Sequence, residues 1–132
     1  MDRPSLRATS ITIGTDEPAV LAHFYAHLLG GRVSAQEPPE GDDAGWAQVA
    51  TGDADRPGFT LNFEHERHFR RPTWPARPGG QNATAHLDIA VDDLAAATSW
   101  ALECGAVLDD EQPQEDVRVL RDPSGHPFCL FT

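Results

Sequence analysis

The sequence predicts an α+β fold made of two βαβββ modules, whose strands form a cup-shaped mixed sheet with the helices on its outer face. Three observations lead there. The first is the stretch from His86 to Leu94. His86, Asp88 and Ala90 alternate with Leu87, Ile89 and Val91, the period-2 signature of a strand with one polar and one apolar face. Asp92 and Asp93 end that strand and offer an N-cap carboxylate to a helix opened by Leu94. The second is that the same grammar occurs earlier. A shift of 76 positions, from His86 back to Ser10, pairs Leu87 with Ile11, Ile89 with Ile13, Asp92 with Asp16 and Trp100 with Phe24, as an internal duplication would. The third is parity: polar side chains fall on one side of every strand tested.

Taken in order, residues 1–4 read as a loose terminus and Leu6 to Gly14 as the first strand. Asp16-Glu17-Pro18 then supplies a capping carboxylate, an acid for the helix dipole and a proline where no N–H is needed. Leu21, Phe24, Tyr25, Leu28 and Leu29 recur at helical spacing as a buried stripe, and Gly30-Gly31 stops the helix. Three strands follow, Arg32 to Gln36, Trp46 to Thr51 and Phe59 to Glu64, separated by turns rich in Pro, Gly and Asp. A long segment, His65 to Ala85, carries Pro72, Trp74, Pro75, Pro78, Gly79 and Gly80 and reads as a linker or lid. After the second helix, Ala106 to Leu108, Val117 to Leu120 and Pro127 to Phe131 complete the duplicate. The expected organisation is one domain over 1–132, with modules at about 5–65 and 85–132 joined by a loop at about 66–84.

Parity sends Ile11, Ile13, Leu61, Phe63, Leu87, Ile89, Val91, Phe128 and Leu130 toward the helices. Ser10, Thr12, Asn62, Glu64, His86, Asp88, Cys129 and Phe131 then share the concave side, where a ligand would sit. His86 reads as a hydrogen-bonded cavity histidine, a metal ligand or a general base. Asp88, on the same face, is placed to orient it or to bond within the sheet. Cys129 is a small buried hydrophobe or, beside His86, an activated thiol. His23 and His27 lack a partnering acid and read as a solvated helix edge. Trp46, Trp74 and Phe131 are aromatic candidates for walls against a flat apolar ligand, with Trp74 in the long loop able either to close over the cup or to pack that loop.

Bulk properties exclude several classes. A net charge of −11 over 132 residues argues against a nucleic-acid partner, and the basic run Arg67, Arg70, Arg71 is too short to reverse it. No apolar stretch approaches the length of a membrane span or a signal-peptide core. Cys104 and Cys129 fall on opposite sides of the sheet and are expected as free thiols in a cytoplasmic protein. No Walker loop, GxGxxG or GxSxG occurs, which removes nucleotide binding and triad hydrolysis.

The chain resembles the vicinal-oxygen-chelate superfamily of glyoxalase I, extradiol dioxygenases and the bleomycin- and fosfomycin-resistance proteins. The resemblance rests on Leu21-Ala22-His23-Phe24-Tyr25 through Leu29-Gly30, on His86-Leu87-Asp88 with Val91-Asp92-Asp93-Leu94, and on Asp122-Pro123-Ser124-Gly125-His126-Pro127-Phe128-Cys129-Leu130, similar to the family's closing DPxGxxxxL hairpin. Pro72-Thr73-Trp74-Pro75 is similar to a subgroup of actinobacterial glyoxalase-like proteins. The resemblance implies four metal-ligand places, which here hold Ser10, Glu64, His86 and Cys129. His86 and Glu64 are ligand types usual in the family; Ser10 and Cys129 are departures from it. The expectation is therefore a metal-free binding protein, holding a small aromatic or polycyclic molecule by sequestration, as bleomycin-resistance relatives do. Two alternatives stand beside it: a lyase, isomerase or dioxygenase using Zn, Ni, Mn or Fe on Glu64 and His86, and a metal-free enzyme with His86 as catalytic base. A homodimer is implied by the resemblance, and two half-open sheets have edges that a second copy would cover.

Overall fold

The computed structural model describes residues 1–53, 55 and 58–132. Its elements run β1 (Ser10–Thr15), α1 (Pro18–Leu29), β2 (Arg32–Glu37), β3 (Trp46–Ala50), β4 (Thr60–His65), β5 (Leu87–Ala90), α2 (Leu94–Glu103), β6 (Val107–Leu108), β7 (Val117–Arg121) and β8 (Pro127–Phe131). This is βαβββ twice. The strands form two four-stranded mixed sheets, ordered β1-β4-β3-β2 and β5-β8-β7-β6, and in each the first strand runs parallel to the last.

The duplicated grammar translates into local structure unevenly. In α2 the cap is as expected: Asp93 accepts a 2.9 Å hydrogen bond from the Ala96 amide. In α1 it is not. Glu17 occupies the N-cap without a side-chain cap, and the Asp16 carboxylate instead accepts from Ser124 at 2.8 Å and Thr15 at 3.1 Å. A partner from the second module outcompetes the helix for that carboxylate. At the other end Gly30 takes the left-handed conformation, φ 68°, and the Gly31 amide reaches the Ala26 carbonyl at 2.9 Å. The first strand is shorter than the sequence suggests, because residues 6–9 lie exposed ahead of Ser10 and outside β1.

Burial follows parity. Leu61, Phe63, Phe128 and Leu130 are buried, and Ile11, Ile13, Leu87, Ile89 and Val91 are packed against them. Tyr25 sits at the centre. Its ring stacks on Phe63 (centroids 5.5 Å apart) and meets Phe128 edge-on (6.2 Å), so one side chain of α1 touches the core strands of both modules.

The modules therefore meet within one chain. The Tyr25 hydroxyl donates to Asp122, the Thr15 and Ser124 hydroxyls lie 2.8 Å apart, a His126 ring nitrogen lies 3.0 Å from the Gly14 carbonyl, and the Trp100 indole N–H donates to the Leu28 carbonyl. The second module is the less covered half. Only Ala101 of α2 is buried, while Trp100, Leu102, Val107 and Leu108 remain exposed.

Candidate functional site

The concave faces carry two different polar arrangements. On the first sheet the register places Thr12 beside Asn62 and Asn62 beside Gln48. Their side chains form a row: Ser34 Oγ to Gln48 Oε1 at 3.1 Å, Gln48 Nε2 to Asn62 Oδ1 at 2.9 Å, and Asn62 Nδ2 to Thr12 Oγ1 at 3.4 Å. Neighbours across strands satisfy one another, so the row is a set of neutral hydrogen-bonding groups rather than a charged centre.

On the second sheet the equivalent pair is Asp88 beside Cys129, with His86 preceding β5. The His86 Nε2 atom lies 3.2 Å from Asp88 Oδ1, and one donor atom from each of His86, Asp88 and Cys129 lies within 4.8 Å of the others. Asp88 can hold the imidazole in one orientation, as a general base at a cavity edge requires. Burial raises the Cys129 thiol above its ordinary value, and the charge and hydrogen bond of Asp88 raise it further. One nitrogen, one carboxylate oxygen and one sulfur make a donor set suited to zinc, provided the thiol is deprotonated.

The registers revise the ligand set implied by the resemblance. Asp88 opposite Cys129 corresponds to Thr12 opposite Asn62, so the first-module counterpart of Cys129 is Asn62 and not Glu64. Glu64 lies two residues further on, opposite Gly14 and Trp46, and with Trp46 lines a separate depression beside Glu37, Asp43 and His65. Glu64 does not belong to the His86 cluster, and Ser10 opens β1 opposite Thr60. The expected pairing of Glu64 with His86 is thus not formed. Phe131 ends β8 opposite Ala90 and is partly exposed.

A feature that sequence reasoning missed is a cavity of about 410 Å³ between the free edges of β1 and β5. Ile11, Ile13, Leu87 and Phe69 give it apolar surface, and Thr12, Glu66, His68, Arg70, His86 and His126 give it polar groups. The two isoleucines reach it although they face the helices, because β1 is an edge strand there. The roof is the connecting loop, but Trp74 takes no part in it. Arg121, itself held by Asp109 at 2.7 Å, donates to the Pro72 and Trp74 carbonyls at 3.1 and 2.6 Å and fastens that stretch to β7. A legible signal for the roof did exist: between Arg67 and His86 the sequence has four arginines and no carboxylate.

Paired βαβββ modules with functional groups on their concave faces define the vicinal-oxygen-chelate class. The sequence matches the family described as "Glyoxalase-like domain" over residues 10–131, and the chain belongs to that family. No protein of curated function matches it. Among solved structures, a glyoxalase family protein from Enterococcus faecalis is 20% identical, with a TM-score of 0.65 over 93% of this chain and 94% of that one. TnmS3, an antibiotic binding protein from Streptomyces sp. CB03234, is also 20% identical, with a TM-score of 0.58 over 98% of both chains. A point mutant of the fosfomycin resistance protein FosX from Listeria monocytogenes, complexed with Mn(II) and a dihydroxypropylphosphonic acid, is 10% identical, with a TM-score of 0.66 over 98% of this chain and 90% of that one. At these identities the likeness is one of fold.

Proposed function

We propose that the protein binds a small aromatic or polycyclic molecule in the cavity between β1 and β5, without a catalytic metal, and acts by sequestration. The observation that carries this reading is the cavity itself. Its volume of about 410 Å³ falls in the range of small-molecule sites, and it combines apolar walls with a few polar groups, His86 among them. The neutral row Thr12, Asn62, Gln48 occupies the first-module face where a metal enzyme would place strong ligands. That TnmS3 is an antibiotic binding protein of the same fold agrees with a binding role. The expected unit is a homodimer covering the exposed Leu102, Val107 and Leu108, and its free thiols suit a reducing cytoplasm.

One observation favours a second reading. The His86, Asp88 and Cys129 cluster would suit a zinc-type ion, with Asp88 in place of the expected Glu64, and such an ion would supply Lewis-acid chemistry beside the cavity. Metal analysis of untagged, chelator-free protein, run together with calorimetric titration of aromatic antibiotics, separates the two. Trace metal and saturable binding that is lost in Thr84→Trp, which fills the cavity from its roof, supports sequestration. Stoichiometric metal that is lost in His86→Ala overturns it.

A further inference from the structure

The roof of the cavity is the basic part of an acidic protein. Residues 67–86 hold Arg67, Arg70, Arg71 and Arg77, two histidines and no aspartate or glutamate, within a chain of net charge −11. Two arginines are committed to holding the roof in place. Arg71 donates to the Pro123 carbonyl at 3.1 Å, and Arg121 of β7 binds Asp109 together with the Pro72 and Trp74 carbonyls. Phe69 is fixed against the His126 ring, with centroids 5.4 Å apart.

Arg70 is different. It lines the cavity, and its guanidinium has no hydrogen bond or ion pair among the described residues. A guanidinium has five N–H donors in a planar fork that matches a carboxylate or similar anion. His68 and His86 line the same space, against one lining carboxylate, Glu66. The nearby Asp122 carboxylate is consumed by Tyr25, by His126 and by the Ser124 amide, and Asp88 faces His86. Opposite the roof lie Ile11, Ile13 and Leu87. A cavity with an apolar floor and an unpaired guanidinium in its roof concentrates anions at that end, against the sign of the whole molecule.

We propose that the cavity selects a flat apolar molecule carrying an acidic group (carboxylate, phenolate or sulfonate), with the anion at Arg70 and the ring body against Ile11 and Ile13. The inference rests on the binding reading above and adds the ligand's charge to it.

Fluorescence titration with two matched dyes tests it: the aromatic sulfonate 8-anilinonaphthalene-1-sulfonate and the uncharged N-phenyl-1-naphthylamine. The sulfonate is expected to bind about tenfold tighter, the scale of one charge-assisted contact, and to lose that advantage in high salt. Arg70→Gln should abolish the preference while leaving the uncharged dye bound. Arg77→Gln, a roof arginine outside the cavity lining, should leave the preference intact. Equal affinities in the natural protein, or a preference that survives Arg70→Gln, overturns the assignment of charge. In that case, dye binding that disappears in Thr84→Trp still upholds the cavity as a binding site. Failure of both dyes to bind overturns both readings.

Discussion

The Tyr25 hydroxyl donates a 2.8 Å hydrogen bond to the Asp122 carboxylate across 97 residues of sequence, and both side chains are buried. It ties α1 of the first module to the closing hairpin of the second. The same carboxylate accepts from the Ser124 and His126 amides, so Asp122 organises the hairpin and the joint between modules together. Burial, reinforced by the charge and hydrogen bond of Asp122, holds the Tyr25 phenol well above its usual value, and it remains a donor throughout the physiological range.

Tyr25→Phe should therefore destabilise the protein by about 1–3 kcal/mol, since it leaves a buried carboxylate short of a donor while preserving the ring stack on Phe63. Asp122→Ala should cost more, because it strips an acceptor from Tyr25 and from two amides at once. Urea denaturation of the two variants checks the order. A Tyr25→Phe protein as stable as the parent would remove the bond from any account of how the modules are joined.

Cys129 should alkylate slowly at neutral pH. Burial and the adjacent Asp88 both raise its thiol, so little thiolate is present. Asp88→Asn removes the negative neighbour and should lower the thiol's value, moving the pH profile of iodoacetamide labelling toward lower pH. Peptide mapping separates Cys129 from Cys104, whose thiol is also raised, first by burial and then by Glu103. An unchanged Cys129 profile in Asp88→Asn would show that burial alone governs it.

Asp93→Ala should destabilise by about 1 kcal/mol, the usual value of an N-cap, because the Ala96 amide loses its side-chain acceptor. Asp16→Ala, one residue ahead of the α1 N-cap, tests a different interaction. Its carboxylate serves Ser124 across the joint, so its loss should also weaken contact between the modules. Burial opposes ionisation of Asp16, but hydrogen bonds from Ser124, Thr15 and its own amide, with the charge of Arg71, outweigh that and lower it. Its contribution is therefore present above the ordinary aspartate range and is lost as pH falls through the lowered value. Denaturation of the parent and Asp16→Ala proteins from neutral to acid pH should show the gap between them closing.

Local pattern was enough wherever neighbours in sequence supply the physics. Alternation and helical spacing placed the strands and helices to within a few residues at most, and Asp93 capped α2 because its partner amide lies three residues away. The Asp16 cap failed for the complementary reason, since its partner Ser124 is 108 residues distant. Glu64 was assigned from the ligand place that the resemblance implies on the last strand of the first module, whereas which residue of that strand corresponds to Cys129 depends on strand register. A two-residue offset along β4 carries a side chain beyond reach of the His86 cluster without changing its face.

The sequence by itself determined the fold class, the duplication and the division of each strand into apolar and polar faces, because these depend on periodicities of two and of 3.6 residues. It also placed His86, Asp88 and Cys129 on one face. Only the tertiary structure decided which groups meet: Asp88 with Cys129 through the parallel register of β5 and β8, Tyr25 with Asp122 through the packing of α1, and the roof arginines over a cavity that neither module forms alone. Such contacts join residues far apart in the chain, and no local pattern encodes the distance between them.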